Sequence, residues 1–134
     1  PEDSLTLFNF ADEGVGMLED GLYVMEDRLE DPEFVEAMTA FVEASMAGWA
    51  YAEANPEEAA EIVINNDMSG ALTLESQIYQ VNEAAALVGD TPALDVEAYE
   101  QTVATLLSAV SPDNPAITAA PEGAYTTVVT DAIE

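Results

Sequence analysis

The chain contains no cysteine, no histidine and a single basic residue, Arg28, among its 134 residues. Without cysteine or histidine, the chain itself offers no disulfide, no thiolate nucleophile, no Cys/His zinc site and no histidine for acid–base catalysis. Nucleic-acid binding is excluded, because neutralising the phosphates requires lysine and arginine. The absence of cysteine does not identify a compartment, since both reducing and oxidising surroundings accommodate such a chain.

Long apolar runs are also absent, and none approaches the ~20 residues of a membrane-spanning helix. The first residues lack the charged and apolar regions of a signal peptide. The chain begins at Pro1 without a methionine, and we therefore expect a processed protein or an excised fragment.

Acidic residues dominate what is present: 28 aspartates and glutamates give a formal net charge of −27 at pH 7. The apolar fraction of 49% nevertheless predicts a folded domain rather than a disordered acidic tail. Carboxylates at this density repel one another and would be repelled by an anionic membrane surface, and salt shortens the range of this repulsion. We interpret them as a solvated surface suited to saline surroundings, with a dedicated cation-binding role as the alternative.

Two short segments near the N-terminus have the composition of β-strands. Residues 5–10 (LTLFNF) are aromatic and apolar, and residues 21–25 (GLYVM) are apolar enough for a buried strand. Two strands are too few for a stable sheet. We therefore expect their partners to lie in an N-terminal portion outside this chain.

The remainder predicts about four helices, so the expected fold class is helix-rich α/β. A long amphipathic helix begins at Asp31-Pro32-Glu33, and Asn55-Pro56 has the cap signature of a second. A third is expected at 74–88 and a fourth from Asp95, followed by a loop at 111–121 and a short helix within 124–133. One side of the first helix is expected to carry Phe34, Met38, Phe41, Val42, Met46 and Trp49. Of these, Phe34, Met38, Phe41 and Trp49 are expected to be buried.

Two motifs in the chain resemble known sites and fail at defining positions. Residues 65–76 place Gly70 at the sixth position of a calcium loop, but Asn65 stands first and Ser76 stands where a bidentate glutamate belongs. The pattern favours a turn between two helices, with calcium as the alternative. Gly14-x-Gly16 lacks the third glycine of a dinucleotide fingerprint. No metal and no cofactor are therefore predicted.

The segment from Phe10 to Tyr23 is the best candidate for ligand contact. It joins the two predicted strands and mixes glycines, aromatic rings, methionine and carboxylates. Loops and strand ends of α/β sheets are where ligands bind. A purely structural crossover is the alternative.

The run from Gly14 to Val63, GVGMLEDGLYVMEDRLEDPEFVEAMTAFVEASMAGWAYAEANPEEAAEIV, resembles the C-terminal half of solute-binding proteins of ABC importers. It looks closest to the branch that serves thiamine-pyrimidine precursors, whose relatives bind sulfonates and taurine. The later runs DVEAYEQTVATLL and APEGAYTTVVTDAI resemble the closing segments of that family.

This resemblance implies the C-terminal part of a two-lobe type II periplasmic-binding-protein fold. Residues 1–20 would form the end of the second lobe and the crossing between the lobes. Residues 21–134 would be the returning, mostly helical part of the first lobe. The sheet partners of residues 21–25 would lie in the N-terminal portion of that lobe, outside this chain.

The resemblance also implies a function: an extracytoplasmic or periplasmic component that binds a small organic solute, without catalysis, and presents it to a membrane permease. Phe10, Asp12, Glu19 and Tyr23 would lie near the cleft. Aromatic faces suit a flat heterocycle, and a carboxylate accepts hydrogen bonds from an amino group or pairs with a cationic amine. Of the two acids we favour Glu19, beside the entry to the strand.

Two alternatives differ in class. The first is an acidic, mostly helical protein-interaction module that meets a basic partner, in which the two strands pair as a ribbon. The second is a carboxylate-based enzyme, which has no support beyond the abundance of acids. Eukaryotic relatives that act as pyrimidine synthases rely on histidine and a cysteine cluster, and this chain has neither.

The charge predicts salt-dependent folding. Because counter-ions screen the repulsion among the carboxylates, the melting temperature should rise between low and molar sodium chloride. Thermal unfolding followed by circular dichroism across that range checks this. A flat or falling profile would reject the interpretation of the acids as a surface suited to salt.

Overall fold

The computed structural model of the chain describes residues 6, 8–89, 91–108 and 116–133. These residues form four α-helices, α1 (Pro32–Ala54), α2 (Pro56–Asn65), α3 (Leu74–Ala85) and α4 (Val96–Ser108), with short 3₁₀ helices at Glu26–Glu30 and Thr130–Ala132. The chain divides into two compact units. The first comprises Pro1–Met25 and Ala93–Thr127, and the second comprises Glu26–Pro92 and Val128–Glu134. The predicted helix-rich character is confirmed.

Helix α1 begins where its cap residues predict. The carboxylate of Asp31 accepts a hydrogen bond from the Glu33 amide at 3.0 Å, and Pro32 occupies the first turn, where no helical N–H is needed. At its C-terminus, the backbone and side-chain N–H groups of Asn55 both donate to the Tyr51 carbonyl, each at 2.9 Å. Asn55 is also the N-cap residue of α2, as predicted, and its carbonyl accepts from the Ala59 amide at 3.0 Å, but its side chain makes no cap hydrogen bond to α2.

The connection between α2 and α3 is a turn organised by one carboxylate. Asp67 accepts hydrogen bonds from the Ser69 amide at 2.7 Å, the Ser69 hydroxyl at 2.6 Å and the Leu72 amide at 3.1 Å. Gly70 has φ +66°, a conformation that strains any residue with a side chain. Thr73 and Ser76 then form a reciprocal capping box at the start of α3.

That turn does not have the arrangement of a calcium site. Both oxygens of Asp67 face N–H and O–H donors from its own loop, whereas a cation would need those oxygens unoccupied by protons. The turn-between-helices interpretation of residues 65–76 is confirmed, since α2 and α3 flank the turn and pack on each other.

The second unit packs α3 against α1 and α2, and both 3₁₀ helices lie on α1. Within the described ranges, its buried apolar side chains are Val42 and Ala60. The guanidinium of Arg28 lies 4.4 Å from the centre of the Phe34 ring, as in a cation–π contact. The Phe34 side chain is half-buried.

The expected burial of Phe41 and Trp49 is wrong. Phe41 is 53% exposed and Trp49 is 43% exposed, whereas Val42 is 8% exposed. The covered positions of α1 recur on one face, where the other helices of the unit lie against it, and the apolar residues of α1 extend beyond that face. The contact face is therefore narrower than the apolar pattern.

The two predicted strands are not confirmed, since the residues described in the structure form no strand. Residues 21–25 are irregular, as are Phe8 and Asn9, and Phe10 begins a turn; Leu5 and Leu7 lie outside the described residues. A strand exists only with a hydrogen-bonded neighbour, which neither segment has there.

The last predicted helix is also mostly absent, because residues 124–133 form one 3₁₀ turn at Thr130–Ala132 rather than an α-helix. The predicted loop at 111–121 is irregular from residue 116 onward, and its earlier part lies outside the described residues.

Neighbouring residues on α1 provide a matched test of this packing. Val42→Ala should lower the free energy of unfolding by about 1.5–3 kcal/mol, because two buried methyl groups are lost and a cavity remains. Phe41→Ala should cost less than about 1 kcal/mol, although it removes the larger side chain. Urea unfolding of both variants measures the difference, and a larger loss for Phe41→Ala would reverse the assignment of the buried face.

The Asp67 turn predicts a specific titration. The hydrogen bond from the Ser69 side chain, followed by those from the Leu72 and Ser69 amides, lowers the pKa of Asp67 below its usual value. A depressed folded pKa contributes stability above the unfolded pKa of ~3.9, and this contribution is lost as pH falls through the folded pKa.

The Asp67 carboxyl carbon should therefore titrate at lower pH in the protein than in an unfolded peptide of residues 65–73, as followed by NMR. Ser69→Ala removes the first of these donors, so the midpoint should move upward toward the peptide value. Identical midpoints in the native protein and in Ser69→Ala would exclude the Ser69 hydroxyl as a cause of the lowered pKa.

Candidate functional site

All four residues predicted to contact a ligand lie on one segment of the first unit, residues 8–25, which we call the N-terminal loop. Phe10 is 70% exposed and Tyr23 is 86% exposed, and Asp12 and Glu19 are exposed as well. The structure thus puts two aromatic rings and two carboxylates on the surface of a single loop. Their contact with a ligand stays a prediction.

The first part of the N-terminal loop is a tight turn. The Ala11 amide donates to the side-chain oxygen of Asn9 at 3.0 Å, and the Val15 amide donates to the Phe10 carbonyl at 3.0 Å. Gly14 completes the turn with φ +73°, where a larger residue would be strained. Phe10 and Asp12, two of the four predicted residues, therefore lie in a locally defined turn.

Two side chains of α4 bind the backbone of the N-terminal loop. The Gln101 amide nitrogen donates to the Gly14 carbonyl at 2.8 Å, and the Leu18 amide donates to the Thr102 hydroxyl oxygen at 2.8 Å. Between these points, a side chain on Gly16 would meet the Ala11 backbone at 3.3 Å. The loop thus folds closely on itself and is attached to α4 on both sides of Gly16.

An open groove of about 380 Å³ lies where the N-terminal loop meets α4. Its volume is within the range of small-molecule sites, and its walls are apolar except for one amide side chain. The four predicted residues are absent from the lining. Phe10, Asp12 and Glu19 are sequence neighbours of lining residues, whereas Tyr23 is five positions beyond Leu18. The lining residues are Ala11, Gly14, Gly16, Met17, Leu18, Ala98 and Gln101.

Helix α4 is itself fixed within the first unit. Asp95 accepts a hydrogen bond from the Ala98 amide at 3.0 Å, as its predicted role at the helix start requires. The ring of Tyr99 meets Tyr125 edge to face, with centroids 4.9 Å apart and planes at 64°. The helix that carries Gln101 and Thr102 is therefore held at its first turns.

Sequence reasoning missed Gln101 and Thr102. The predicted apolar stripe of α4 included Tyr99, Val103 and Leu106, which are half-buried, and Val110, which lies outside the described residues. Gln101 and Thr102 stand between these positions and bind a segment more than 80 residues away. No sequence signal marks them, because two adjacent uncharged polar residues on a helix are equally compatible with solvated positions.

A second open groove, also of about 380 Å³, lies in the second unit between the C-terminal half of α1 and the residues that end α3. Trp49 lines it together with Met46, Glu53 and Val88. Nearby, the Tyr51 hydroxyl hydrogen-bonds to Glu58, which raises the pKa of Tyr51, with a smaller effect from desolvation. This groove lies between helical segments of the second unit, and none of the predicted site residues lines it.

Among the described residues, no three acidic side chains lie close enough together to hold a metal ion. Across the same ranges, no helix combines the length and apolar character needed to cross a bilayer. Comparison of the chain with protein families, with curated proteins and with solved structures found no match.

Proposed function

We propose that the chain belongs to the solute-binding component of an ABC importer and contributes to binding a small organic solute without transforming it. The observation that carries the proposal is the N-terminal loop, which exposes two aromatic rings and two carboxylates and contributes residues between Ala11 and Leu18 to the wall of an open groove. The solute class is a pyrimidine precursor of thiamine or a compound of similar size. The component acts in the periplasm or elsewhere outside the cytoplasm and delivers the solute to a membrane permease.

The chemistry of the loop suits such a solute. The faces of Phe10 and Tyr23 are accessible for stacking on a flat ring. The carboxylates of Asp12 and Glu19 accept hydrogen bonds from an exocyclic amino group and attract a cationic amine more strongly. The adjoining apolar groove, with Gln101 in its wall, offers room for a small heterocycle.

The proposal also rests on the sequence resemblance, whose motifs lie at the following places in the structure. DPEFV opens α1, GWAYA lies in the last turns of α1, NPEEAA opens α2, and DVEAYEQTVATLL spans most of α4. On this proposal, residues 1–20 end the second lobe and cross to the first, and residues 21–134 belong to the first lobe. Residues 21–25 would then pair with that lobe's sheet.

An acidic protein-interaction module is the second candidate, favoured by the apolar surface of the second unit. Phe41, Trp49, Tyr79 and Leu87 are all at least 43% exposed. Apolar side chains surrounded by carboxylates suit a partner with an apolar patch and a basic rim. This candidate requires no solute, which separates it from the first by experiment.

A thermal-shift screen of the full-length gene product tests the proposed function. Pyrimidines, sulfonates, amino acids and polyamines are compared in molar salt, and a bound solute raises the melting temperature by mass action. We expect a shift with one class, the pyrimidines being favoured. No shift with any class would reject solute binding and leave the interaction module.

The substitution Glu19→Gln tests how much the favoured carboxylate contributes to solute binding. Loss of a charged hydrogen-bond acceptor should weaken solute binding by on the order of 1.5–3 kcal/mol, as measured by calorimetric titration of the full-length protein. Glu43→Gln, on the exposed side of α1, makes the same charge change in the second unit and should leave affinity unchanged. Equal affinities for both variants, with the fold intact, would exclude Glu19 from the site.

A further inference from the structure

The shape of the N-terminal loop depends on two side chains that no sequence pattern singled out. Beyond its first turn, at residues 15–25, the loop contains neither helix nor strand. Gln101 and Thr102 bind its backbone at Gly14 and Leu18. We propose that Gln101 and Thr102 are positioning residues that hold the N-terminal loop in the shape that binds solute, an inference that rests on the proposed function.

The Thr102 hydroxyl links the helix backbone to the loop. It donates its proton to the Ala98 carbonyl at 2.9 Å, one turn earlier in α4. With the proton committed to that bond, the oxygen is left to accept, and the Leu18 amide donates to it at 2.8 Å. Valine has the same shape and can form neither bond, whereas serine keeps both.

The Gln101 side chain is fixed by both of its amide protons. One N–H bond reaches the Gly14 carbonyl at 2.8 Å, and the other reaches the hydroxyl of Thr105 at 3.2 Å. Thr105 is buried, so one end of this pair is anchored in the packed side of α4. Gln101 therefore attaches the loop and forms part of the groove wall with a single orientation.

Each attachment lies close in sequence to predicted ligand residues. Gly14 ends the turn that contains Phe10 and Asp12, so Gln101 fixes that turn relative to α4. Leu18 immediately precedes Glu19, so Thr102 fixes the backbone that leads to the favoured carboxylate. Fixing the loop before binding reduces the conformational entropy lost when the solute arrives.

The experiment uses the full-length gene product carrying Thr102→Val, Thr102→Ser or the control Thr39→Val. Thr39 is matched because its hydroxyl also donates to a carbonyl one turn earlier, at 2.9 Å; its longer contact, 3.5 Å to the Val129 carbonyl, is in the second unit. Two quantities are measured: hydrogen exchange of the Leu18 amide by NMR, and affinity by calorimetry with the aminopyrimidine precursor of thiamine and with taurine as probes.

Thr102→Val should accelerate exchange at Leu18 by at least about tenfold and weaken binding of the probe that binds by roughly three- to tenfold, the range expected for one neutral hydrogen bond. Thr102→Ser should restore both quantities, and Thr39→Val should change neither. Gln101→Met provides a second variant, with weakened binding and an unchanged melting temperature expected.

Three results would overturn the inference. Unchanged exchange at Leu18 in Thr102→Val would mean that the bond does not hold the loop. Faster exchange with unchanged affinity would reduce Thr102 to a structural role. If the native protein binds neither probe nor any solute of the screen, the proposed function fails and the positioning role fails with it. Hydrogen exchange distinguishes this failure from a failure of the attachment, because the Leu18 amide would then still exchange faster in Thr102→Val than in the native protein.

Discussion

The fold must form despite the repulsion among 28 carboxylates, in a chain that contains a single arginine. Ion pairs therefore cannot stabilise it. Each of the four helices has an acid in its first turn and no basic residue in its last. Acids in a first turn lie near the positive end of the helix dipole, where a negative charge is stabilising. Asp31, Asp67 and Asp95 go further and accept backbone hydrogen bonds. The carboxylates that matter structurally are therefore paired with N–H groups rather than with cations.

Uncharged polar side chains make the connections between distant segments. Thr102 and Gln101 bind the N-terminal loop, which lies more than 80 residues away in the sequence. These bonds do not weaken in the high salt that relieves repulsion among the carboxylates, as surface ion pairs would. The N-terminal loop, being attached by neutral groups, should therefore keep its shape in the high salt that is predicted to stabilise the chain. High salt would thus reduce repulsion at the acidic surface without weakening the bonds that hold the proposed site.

The features that the sequence predicted correctly are local. The start of α1 at Asp31-Pro32 and the start of α4 at Asp95 depend on hydrogen bonds that span two or three residues, and both were predicted. The strands at 5–10 and 21–25 required partners that no local pattern can supply, and they were not confirmed. The apolar pattern of α1 identified an amphipathic helix but not its contact face, since Phe41 and Val42 are neighbours with opposite burial.

The candidate site divides in the same way. The loop that carries Phe10, Asp12, Glu19 and Tyr23 could be selected from its glycines, aromatic rings and acids. Its attachment to α4 could not, because the bonds from Gln101 and to Thr102 span 87 and 84 residues. An exposed glutamine and a half-buried threonine on α4 have no periodicity that separates a functional contact from a solvated position. Only the tertiary arrangement distinguishes them.

The central claim is that the N-terminal loop and α4 together contact a solute, and mapping amide chemical shifts by NMR tests it most directly. Spectra of the full-length gene product are compared with and without the aminopyrimidine precursor of thiamine. The account predicts that the largest changes fall at residues 10–23 and at 98–102 of α4. Changes confined to the second groove, at residues 46–53 and 85–89, or no changes at a saturating concentration of the precursor, would contradict it.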